Sequence, residues 1–296
     1  MKMRSFARLL AACVLSVSLH QAAYADGAES APQPLVVGEI NLTFYKVAAA
    51  VVVEVLERLG HRVTIVEGNH PQIYAALGKD QVDVLVASWL PHAHGPLQQP
   101  LADRLVEAAT LYTGAQLYWA VPSYIPESTV SSIDDLRRPE VVARMDKDIA
   151  GVGPGSGLMI GSERIMKQYG LTEAGYTLHV ASAQDWASKL GSAYSAKQWM
   201  VMPLWQPQYL NALYSMRVLK DPQGVFGTDR AVVVVRKAVW MSLPERSRVV
   251  LGRVRLSIPV VTELERELVV DHKPEQEVAR EWMRKNQNEV DGWFAP

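Results

Sequence analysis

Cysteine and long hydrophobic runs are both scarce in this sequence. The 296 residues contain one cysteine, Cys13, so the chain is not a disulfide-rich scaffold. Beyond residues 1–25, no apolar run approaches the roughly 20 residues that a membrane-spanning helix requires. The formal net charge is −1, and there is no basic cluster interleaved with aromatic residues of the kind that binds nucleic acid. Nucleic acid is therefore not an expected partner.

Core-forming residues, in contrast, are plentiful. Hydrophobic residues make up 49% of the chain, and 8 tryptophans stand against 4 phenylalanines. A chain of this length and composition can bury sizeable cores and is long enough for two domains of ordinary size. We therefore expect a globular protein with two domains once its first residues are removed.

Residues 1–25 have the parts of a secretory signal peptide. Positive side chains come first, Leu9 to Leu19 form an apolar segment, and Ala23-Tyr24-Ala25 is a small-x-small cleavage site. We expect soluble export to the periplasm, with Cys13 lost. The segment from Leu10 to Cys13 also matches a lipobox, which would make the protein a lipoprotein. That alternative is disfavoured because it leaves almost no apolar segment before the cysteine.

Strands and helices alternate along the chain, which predicts parallel sheets with helices on their faces. The first series has strands at 35–40, 61–66 and 82–86 and helices at 46–59 and 72–77. A second series has strands at 148–152, 176–180 and 198–202 and helices at 133–137, 158–169 and 183–196. A strand at 231–235 and further helices follow.

Two turn-rich breaks, one after Pro122 and one after Lys220, separate these series. They predict a two-lobed α/β protein in which each lobe is a mostly parallel sheet flanked by helices. The expected lobes are a discontinuous lobe 1, residues 35–120 plus 223–296, and an inserted lobe 2, residues 121–222. Two chain crossings form a hinge, and the ligand cleft would lie between the lobes.

Aromatic residues follow several of the predicted strands. Open α/β sheets bind ligands outside the carboxyl ends of their strands. Trp89 and Trp205 belong to different predicted lobes, so closure would sandwich a ligand between two indole faces, which attract a quaternary ammonium through cation–π interactions. The alternative is that tryptophans fill cores, which we expect for Trp186, Trp199, Trp240, Trp282 and Trp293. The candidate contacts in or after strands are Asn41, Phe44, Tyr45, Trp89, Tyr118 and Trp205.

A glycine loop, residues 153–157, joins a predicted strand to a predicted helix. Its backbone N–H groups and the helix N-terminus can receive an anion such as a carboxylate, which makes Gly155 and Ser156 candidate contacts. It is not a Walker loop, since no Gly-Lys-Ser/Thr follows, and it matches a dinucleotide motif poorly. The alternative is a tight turn capped by Ser156.

His70, His92 and His94 are the histidines that invite a metal site. None is predicted, because no carboxylate is close in sequence and no HExxH pattern exists. His94 is expected to be a neutral hydrogen-bonding residue of the pocket, the alternative being a solvated loop histidine. No G-x-S-x-G motif is present, and the acidic residues fall mostly on helix faces. We expect neither an enzyme nor a bound cofactor.

Four sequence motifs are spread along the chain. They are DVLVASWLPxxH at 83–94, GxGPGSGLM at 151–159, PLWQP at 203–207 and LKDPQGVFG at 219–227. With them the chain resembles the substrate-binding proteins of ABC importers for glycine betaine, choline and related quaternary amines. The resemblance implies a type II periplasmic binding fold with an aromatic cage in the cleft. It implies that Trp89 and Trp205 are cage walls, with Tyr118 a third, and that Gly155 and Ser156 contact the ligand's polar end.

The sequence departs from that family at two places. Family members commonly have an aromatic residue, and choline binders an acidic one, just after the first strand, but residues 40–45 contain neither a tryptophan nor a carboxylate. Phe44 or Tyr45 is expected to substitute. Many betaine binders also have a histidine shortly after the last cage tryptophan, where this chain has Gln206-Pro207-Gln208-Tyr209.

These observations predict a monomeric periplasmic binding protein that captures a small cationic or zwitterionic solute, such as glycine betaine, by hinge closure. It would deliver the solute to an inner-membrane ABC permease with its ATPase. One alternative is a binding protein that presents its closed form to a membrane receptor. A less favoured one is a metal-dependent enzyme that uses His92 or His94.

Overall fold

The computed structural model describes residues 32–296. The predicted signal peptide and Cys13 lie outside the described residues. Within the described part of the chain, no helix combines the length and the apolar character needed to cross a membrane.

The first α/β series is confirmed. It consists of β1 (Leu35–Ile40), α1 (Thr43–Arg58), β2 (Val63–Gly68), α2 (His70–Gly78) and β3 (Val84–Leu90). β1 pairs in parallel with both β2 and β3, which is the arrangement that alternating strands and helices favour. The helix α1 begins three residues earlier than the sequence pattern predicts, so Phe44 and Tyr45 fall in its first turn.

The remaining elements extend through a long strand and a helical C-terminus. They are α3 (Gly95–Gln98), a 3₁₀ helix (Gln99–Arg104), β4 (Leu105–Pro122), a second 3₁₀ helix (Ile133–Arg137), α4 (Pro139–Val142), β5 (Asp148–Gly151), α5 (Gly157–Gln168), β6 (Thr177–Val180), α6 (Ala183–Ser195), β7 (Met202–Gln206), α7 (Leu210–Leu213), β8 (Met216–Val218), β9 (Thr228–Arg236), α8 (Lys237–Ser242), α9 (Glu245–Arg253), α10 (Ile258–Val269), α11 (Glu275–Lys285) and α12 (Gln287–Phe294).

Strand β4 links the two halves of the main sheet. The strand order is β2-β1-β3-β9-β4-β7, with β8 also paired to β4, while β5 and β6 form a separate parallel pair. β4 pairs antiparallel with β9 over its first part and with β7 and β8 over its last. The sheet is therefore mixed rather than wholly parallel, because β9 and β4 run past each other in opposite directions, a long-range pairing that local periodicity does not encode.

Strand β7 lies later in the chain than the predicted strand at 198–202. In the pairing of β7 with β4, Met202 lies opposite Ala120 and Gln206 opposite Gln116. The buried residues just before Met202 are therefore not part of this strand pairing. β7 lies at the edge of the sheet. Pro203, which has no backbone N–H to donate, is tolerated there because no inner strand loses a hydrogen bond.

Two separate hydrophobic cores are present. The first is built on β1, α1, β3 and β9 with the C-terminal helices, and it also takes in Trp186 and Trp205. The second is built from residues between Trp119 and Val225. β4 contributes to both, with Leu111 in the first core and Trp119 in the second. Near its end the strand alternates between the cores, with Ala120 in the first and Trp119 and Val121 in the second.

Glu265, a buried carboxylate on α10, caps the start of α1. Its Oε1 accepts from Thr43 Oγ1, its Oε2 accepts from the backbone N–H of Tyr209 at 2.7 Å, and the N–H of Phe44 also donates to it. Burial raises the pKa of Glu265 to about 8, against the opposing effect of these three donors. The residue before the helix, Leu42, provides no side-chain cap, so this long-range cap explains why α1 begins earlier than its own sequence indicates.

We expect Glu265→Ala to lower the free energy of unfolding by about 3 kcal/mol, because the change leaves buried donors without an acceptor. Urea denaturation followed by circular dichroism measures the loss. Glu263→Ala is the control: Glu263 lies on the same helix but pairs with Arg266 at the surface, and its loss should cost less than about 1 kcal/mol. Equal effects of the two changes would refute the capping role.

Candidate functional site

A buried cavity lies where the carboxyl ends of β1 and β3 meet the starts of α1 and α5. Its free volume is about 20 Å³, which is room for no more than a single water-sized molecule. No Asp or Glu is among the residues that line it. These are Leu42, Phe44, Tyr45, His70, Trp89, Ala93, His94, Leu117, Val152, Ser156, Gly157, Leu158 and Trp205.

Four predicted aromatic residues, Phe44, Tyr45, Trp89 and Trp205, meet in this cavity and are here called the aromatic cluster. The ring centroid of Phe44 lies 5.4 Å from that of Trp89 and 5.5 Å from that of Trp205. Tyr45 lies 6.2 Å from Trp89. The sequence left open whether Phe44 or Tyr45 faces the cavity, and the structure brings both to it, because the two residues occupy the first turn of α1.

Trp186 is an aromatic partner that the sequence analysis assigned to a core. Its ring stacks on Trp205 with centroids 4.8 Å apart and an angle of 15° between the planes. Neither indole N–H has a hydrogen-bond partner. The two rings also line a neighbouring groove of about 370 Å³, the Trp186 groove, together with Leu42 and Tyr209. Amphipathic spacing in α6 gave no signal that would distinguish this tryptophan from an ordinary core residue.

The loop after β3 is held by buried Asp229. Its Oδ1 accepts from the backbone N–H of His92 at 2.6 Å and lies 3.1 Å from His92 Nδ1, and its Oδ2 accepts from the N–H of Ala93 at 3.1 Å. These bonds fix the turn that follows Trp89. The His92 side chain is also held by Asp229, on the side of the loop away from the cavity residues.

His94 is a buried, hydrogen-bonded residue rather than a solvated one. Its Nδ1 accepts from the backbone N–H of Trp89 at 3.0 Å, so the proton of the neutral ring is on Nε2, which lies 3.1 Å from the hydroxyl of Tyr45. Burial, with a smaller contribution from nearby His70, holds the pKa of His94 well below its usual value. The neutral ring therefore fixes the positions of Trp89 and Tyr45.

His70 joins the cavity, although the sequence identified it only as a possible metal ligand. Its ring centroid lies 5.0 Å from that of His94 and 5.6 Å from that of Tyr45. Burial lowers its pKa to about 4, so the ring is neutral near pH 7. Within residues 32–296, no group of three or more His, Cys, Asp or Glu side chains is arranged to hold a metal ion.

The glycine loop approaches the first half of the chain at two points. A Cβ on Gly157 would lie 2.8 Å from the backbone of Ala93, and a Cβ on Gly155 would lie 2.7 Å from Cγ of Pro71. Gly155 therefore packs against Pro71 beside the cavity rather than lining it. Ser156 lines the cavity as the cap of α5: its Oγ accepts from the N–H of Met159 and donates to the carbonyl of Val152.

Besides Gly155, two more of the predicted residues, Tyr118 and Asn41, do not reach the cavity. Tyr118 packs away from it, and its hydroxyl donates to the carbonyl of Trp205 at 3.1 Å. Leu117 lines the cavity instead, because neighbouring residues of a strand point to opposite faces. Asn41 is exposed, and the next residue, Leu42, contributes to the lining.

The fold and this cavity define a type II periplasmic binding protein, a class that binds substrates and has no catalytic function. The chain belongs to the family described as the substrate binding domain of ABC-type glycine betaine transport systems, whose sequence model matches residues 33–285.

Individual relatives agree with this assignment. The glycine betaine/carnitine transport binding protein GbuC of Listeria monocytogenes is 26% identical over 146 residues, 49% of this chain and 48% of that protein, so the match spans about half of that relative. Lactococcal OpuAC, solved in a closed form complexed with glycine betaine, is 25% identical, with 89% of this chain and 100% of that chain covered and a TM-score of 0.79. ProX of Borrelia burgdorferi is 24% identical, with coverage of 88% and 97% and a TM-score of 0.80.

The anchoring of the Trp89 loop makes a prediction about Asp229. We expect Asp229→Ala to reduce the free energy of unfolding by about 2 kcal/mol, since the N–H of Ala93 loses its buried acceptor. Arg230→Ala, one residue further along β9, removes only a surface ion pair with Glu107 and should cost less than about 1 kcal/mol. Urea titrations of both variants give the two free energies of unfolding. An unchanged free energy of unfolding in Asp229→Ala would contradict the anchoring role.

Proposed function

We propose that this protein captures glycine betaine, or a related zwitterionic quaternary amine, between Trp89 and Trp205 and delivers it to an inner-membrane ABC permease with its ATPase. The observation that carries the proposal is the aromatic cluster, four aromatic rings in one buried cavity whose lining includes no carboxylate. The relatives support it, because GbuC is a glycine betaine/carnitine binding protein and lactococcal OpuAC was solved with glycine betaine.

The aromatic cluster suits the cationic end of such a ligand. A quaternary ammonium has no N–H to donate, so hydrogen-bond acceptors cannot recognise it, whereas the faces of aromatic rings attract it electrostatically. Trp89 and Trp205 are each less than 5% exposed. In that water-poor setting the attraction to a desolvated cation reaches about 2 kcal/mol or more per ring.

The start of α5 suits the anionic end. The first N–H groups of a helix have no partner within the helix, and Gly157 and Leu158, the first two residues of α5, both line the cavity. A carboxylate there would also be favoured by the helix dipole. Because Ser156 uses its hydroxyl to cap the helix, we propose that backbone N–H groups, rather than this hydroxyl, contact the carboxylate.

Opening and closing of two lobes would admit the ligand. The proposed lobes are residues 35–120 plus 223–296 and residues 121–222, with the cavity between them. The second core, drawn from residues 119–225, supports a separate inserted lobe, while the first core also takes in residues of that segment, such as Trp186 and Trp205. Free space of about 20 Å³ is too small for glycine betaine, which is consistent with lobes that are drawn together. A ligand that contacts both lobes only when they are closed stabilises that form. We propose that the periplasmic, monomeric protein presents this form to the permease.

Tryptophan fluorescence titrations with glycine betaine, carnitine, choline and proline test the proposal. We expect saturable binding of glycine betaine by the native protein and a loss of roughly 100-fold or more in affinity for the double variant Trp89→Ala/Trp205→Ala. Trp240→Ala, which removes a tryptophan that does not line the cavity, is the matched control. Failure of the native protein to bind any quaternary amine would refute the proposed ligand. Unfolding of the double variant would show that Trp89 and Trp205 stabilise the hydrophobic core rather than form a ligand cage.

Closure of the two proposed lobes leads to a second prediction, which concerns the glycine loop. In Gly157→Ala the new methyl group would meet the backbone of Ala93, and relieving such overpacking costs about 1–3 kcal/mol. We therefore expect the affinity for glycine betaine to fall about 10-fold or more, measured by isothermal titration calorimetry. Gly95→Ala is the control, because nothing lies within 4 Å of a Cβ there. Unchanged affinity in Gly157→Ala would exclude close approach of these backbones in the bound form.

A further inference from the structure

Trp186 covers one face of Trp205, a member of the aromatic cluster. The two indole planes lie at 15° to each other with their centroids 4.8 Å apart, a separation at which stacked rings attract one another. Trp186 is 2% exposed and Trp205 is 4% exposed. Trp186 is not among the residues that line the cavity, so it lies behind Trp205 as seen from the cavity.

The backbone of Trp205 is held by hydrogen bonds, but its ring is not. The carbonyl of Trp205 accepts from the hydroxyl of Tyr118 at 3.1 Å and from the side-chain amide of Asn211 at 2.8 Å. The indole N–H has no partner, so no directional bond selects the orientation of the ring. That orientation therefore depends on the rings packed beside it, which are Trp186 and Phe44.

Free space lies beside Trp205 in the Trp186 groove rather than in the cavity. The groove has a free volume of about 370 Å³, whereas the cavity has about 20 Å³, and Trp205 lines both. A side chain can exchange between staggered orientations where space permits. Without support from Trp186, the Trp205 ring would have room to turn away from the cavity and into the groove.

Helix α6 holds Trp186 itself in place. The N–H of Trp186 donates to the carbonyl of Ser182 at 2.9 Å, and Ser182 Oγ caps the helix by accepting from the N–H of Asp185 at 3.0 Å. Leu190, which lies one turn further along the same helix face, is also buried. The side chain that supports Trp205 therefore stands on a capped helix whose face is anchored in the core.

We propose that Trp186 is a positioning residue, which holds the ring of Trp205 against the cavity and keeps the aromatic cluster ready for a quaternary ammonium. This inference rests on the proposed function. A ring that occupies the cavity position for only a fraction of the time raises the dissociation constant in inverse proportion to that fraction. Trp186 thus sets the affinity without touching the ligand.

Two substitutions by smaller side chains separate positioning from packing. Both remove volume from the core, but Trp186→Phe keeps an aromatic face against Trp205 and Trp186→Leu does not. We expect Trp186→Leu to raise the dissociation constant for glycine betaine about 10-fold, which is the size of effect that a lost aromatic stack can produce. Trp186→Phe should raise it less than about 3-fold. Isothermal titration calorimetry measures both.

Trp293→Leu is the matched control. Trp293 is buried in the same hydrophobic core and stacks on another tryptophan, Trp282, with centroids 6.0 Å apart. It lines neither the cavity nor the Trp186 groove. Urea denaturation should show a loss of stability in Trp293→Leu and in both Trp186 variants, whereas only Trp186→Leu should show the 10-fold loss of affinity.

A crystal structure of ligand-free Trp186→Leu shows the position of Trp205 directly. We expect its ring to be turned into the Trp186 groove, and to remain at the cavity in Trp186→Phe. An unmoved ring in Trp186→Leu, native affinity in that variant, or a 10-fold loss of affinity in Trp186→Phe would overturn the inference while leaving the proposed function intact. A native protein that binds no quaternary amine would overturn both.

Discussion

The close approach of the glycine loop to Ala93 and Pro71 is the constraint on which the site depends. Only residues without a Cβ allow the backbone at Gly155 and Gly157 to come this near. That approach brings the start of α5 against the loop after Trp89 and places Gly153 beside the His70 ring. Gly155, which the sequence suggested as a ligand contact, thus packs against Pro71, and Gly157, which was not singled out, packs against Ala93.

Buried carboxyl groups are arranged around the cavity and kept out of it. Asp229 and Glu265 are both buried, yet each directs its oxygens at backbone N–H groups of the segments that carry Trp89, Phe44 and Trp205. These carboxyl groups therefore hold the aromatic walls in position without lining the cavity. A cation in such a site would meet aromatic ring faces and no acidic group, and an anionic group would meet the N–H groups at the start of α5. This division of labour fits a zwitterion better than a simple cation.

Sequence reasoning found the features that local pattern encodes and missed those that depend on long-range contacts. Trp89 and Trp205 were predicted as site residues because they follow predicted strands. The start of α5 was predicted as part of the site from the glycine loop. Trp186 and His70 were assigned other roles because their neighbours, Trp205 and His94, lie far away in sequence. Tyr118 was predicted to reach the cavity, but the residue before it, Leu117, lines it instead, because neighbouring residues of a strand point to opposite faces. The antiparallel pairing of β9 with β4 was likewise hidden from local periodicity.

A crystal structure of the protein with glycine betaine tests the central claim most directly. The account predicts the ammonium nitrogen within about 6 Å of the ring centroids of Trp89 and Trp205 and a carboxylate oxygen within about 3.2 Å of a backbone nitrogen at the start of α5. A ligand seated in the Trp186 groove, or one whose carboxylate points away from the start of α5, would contradict it.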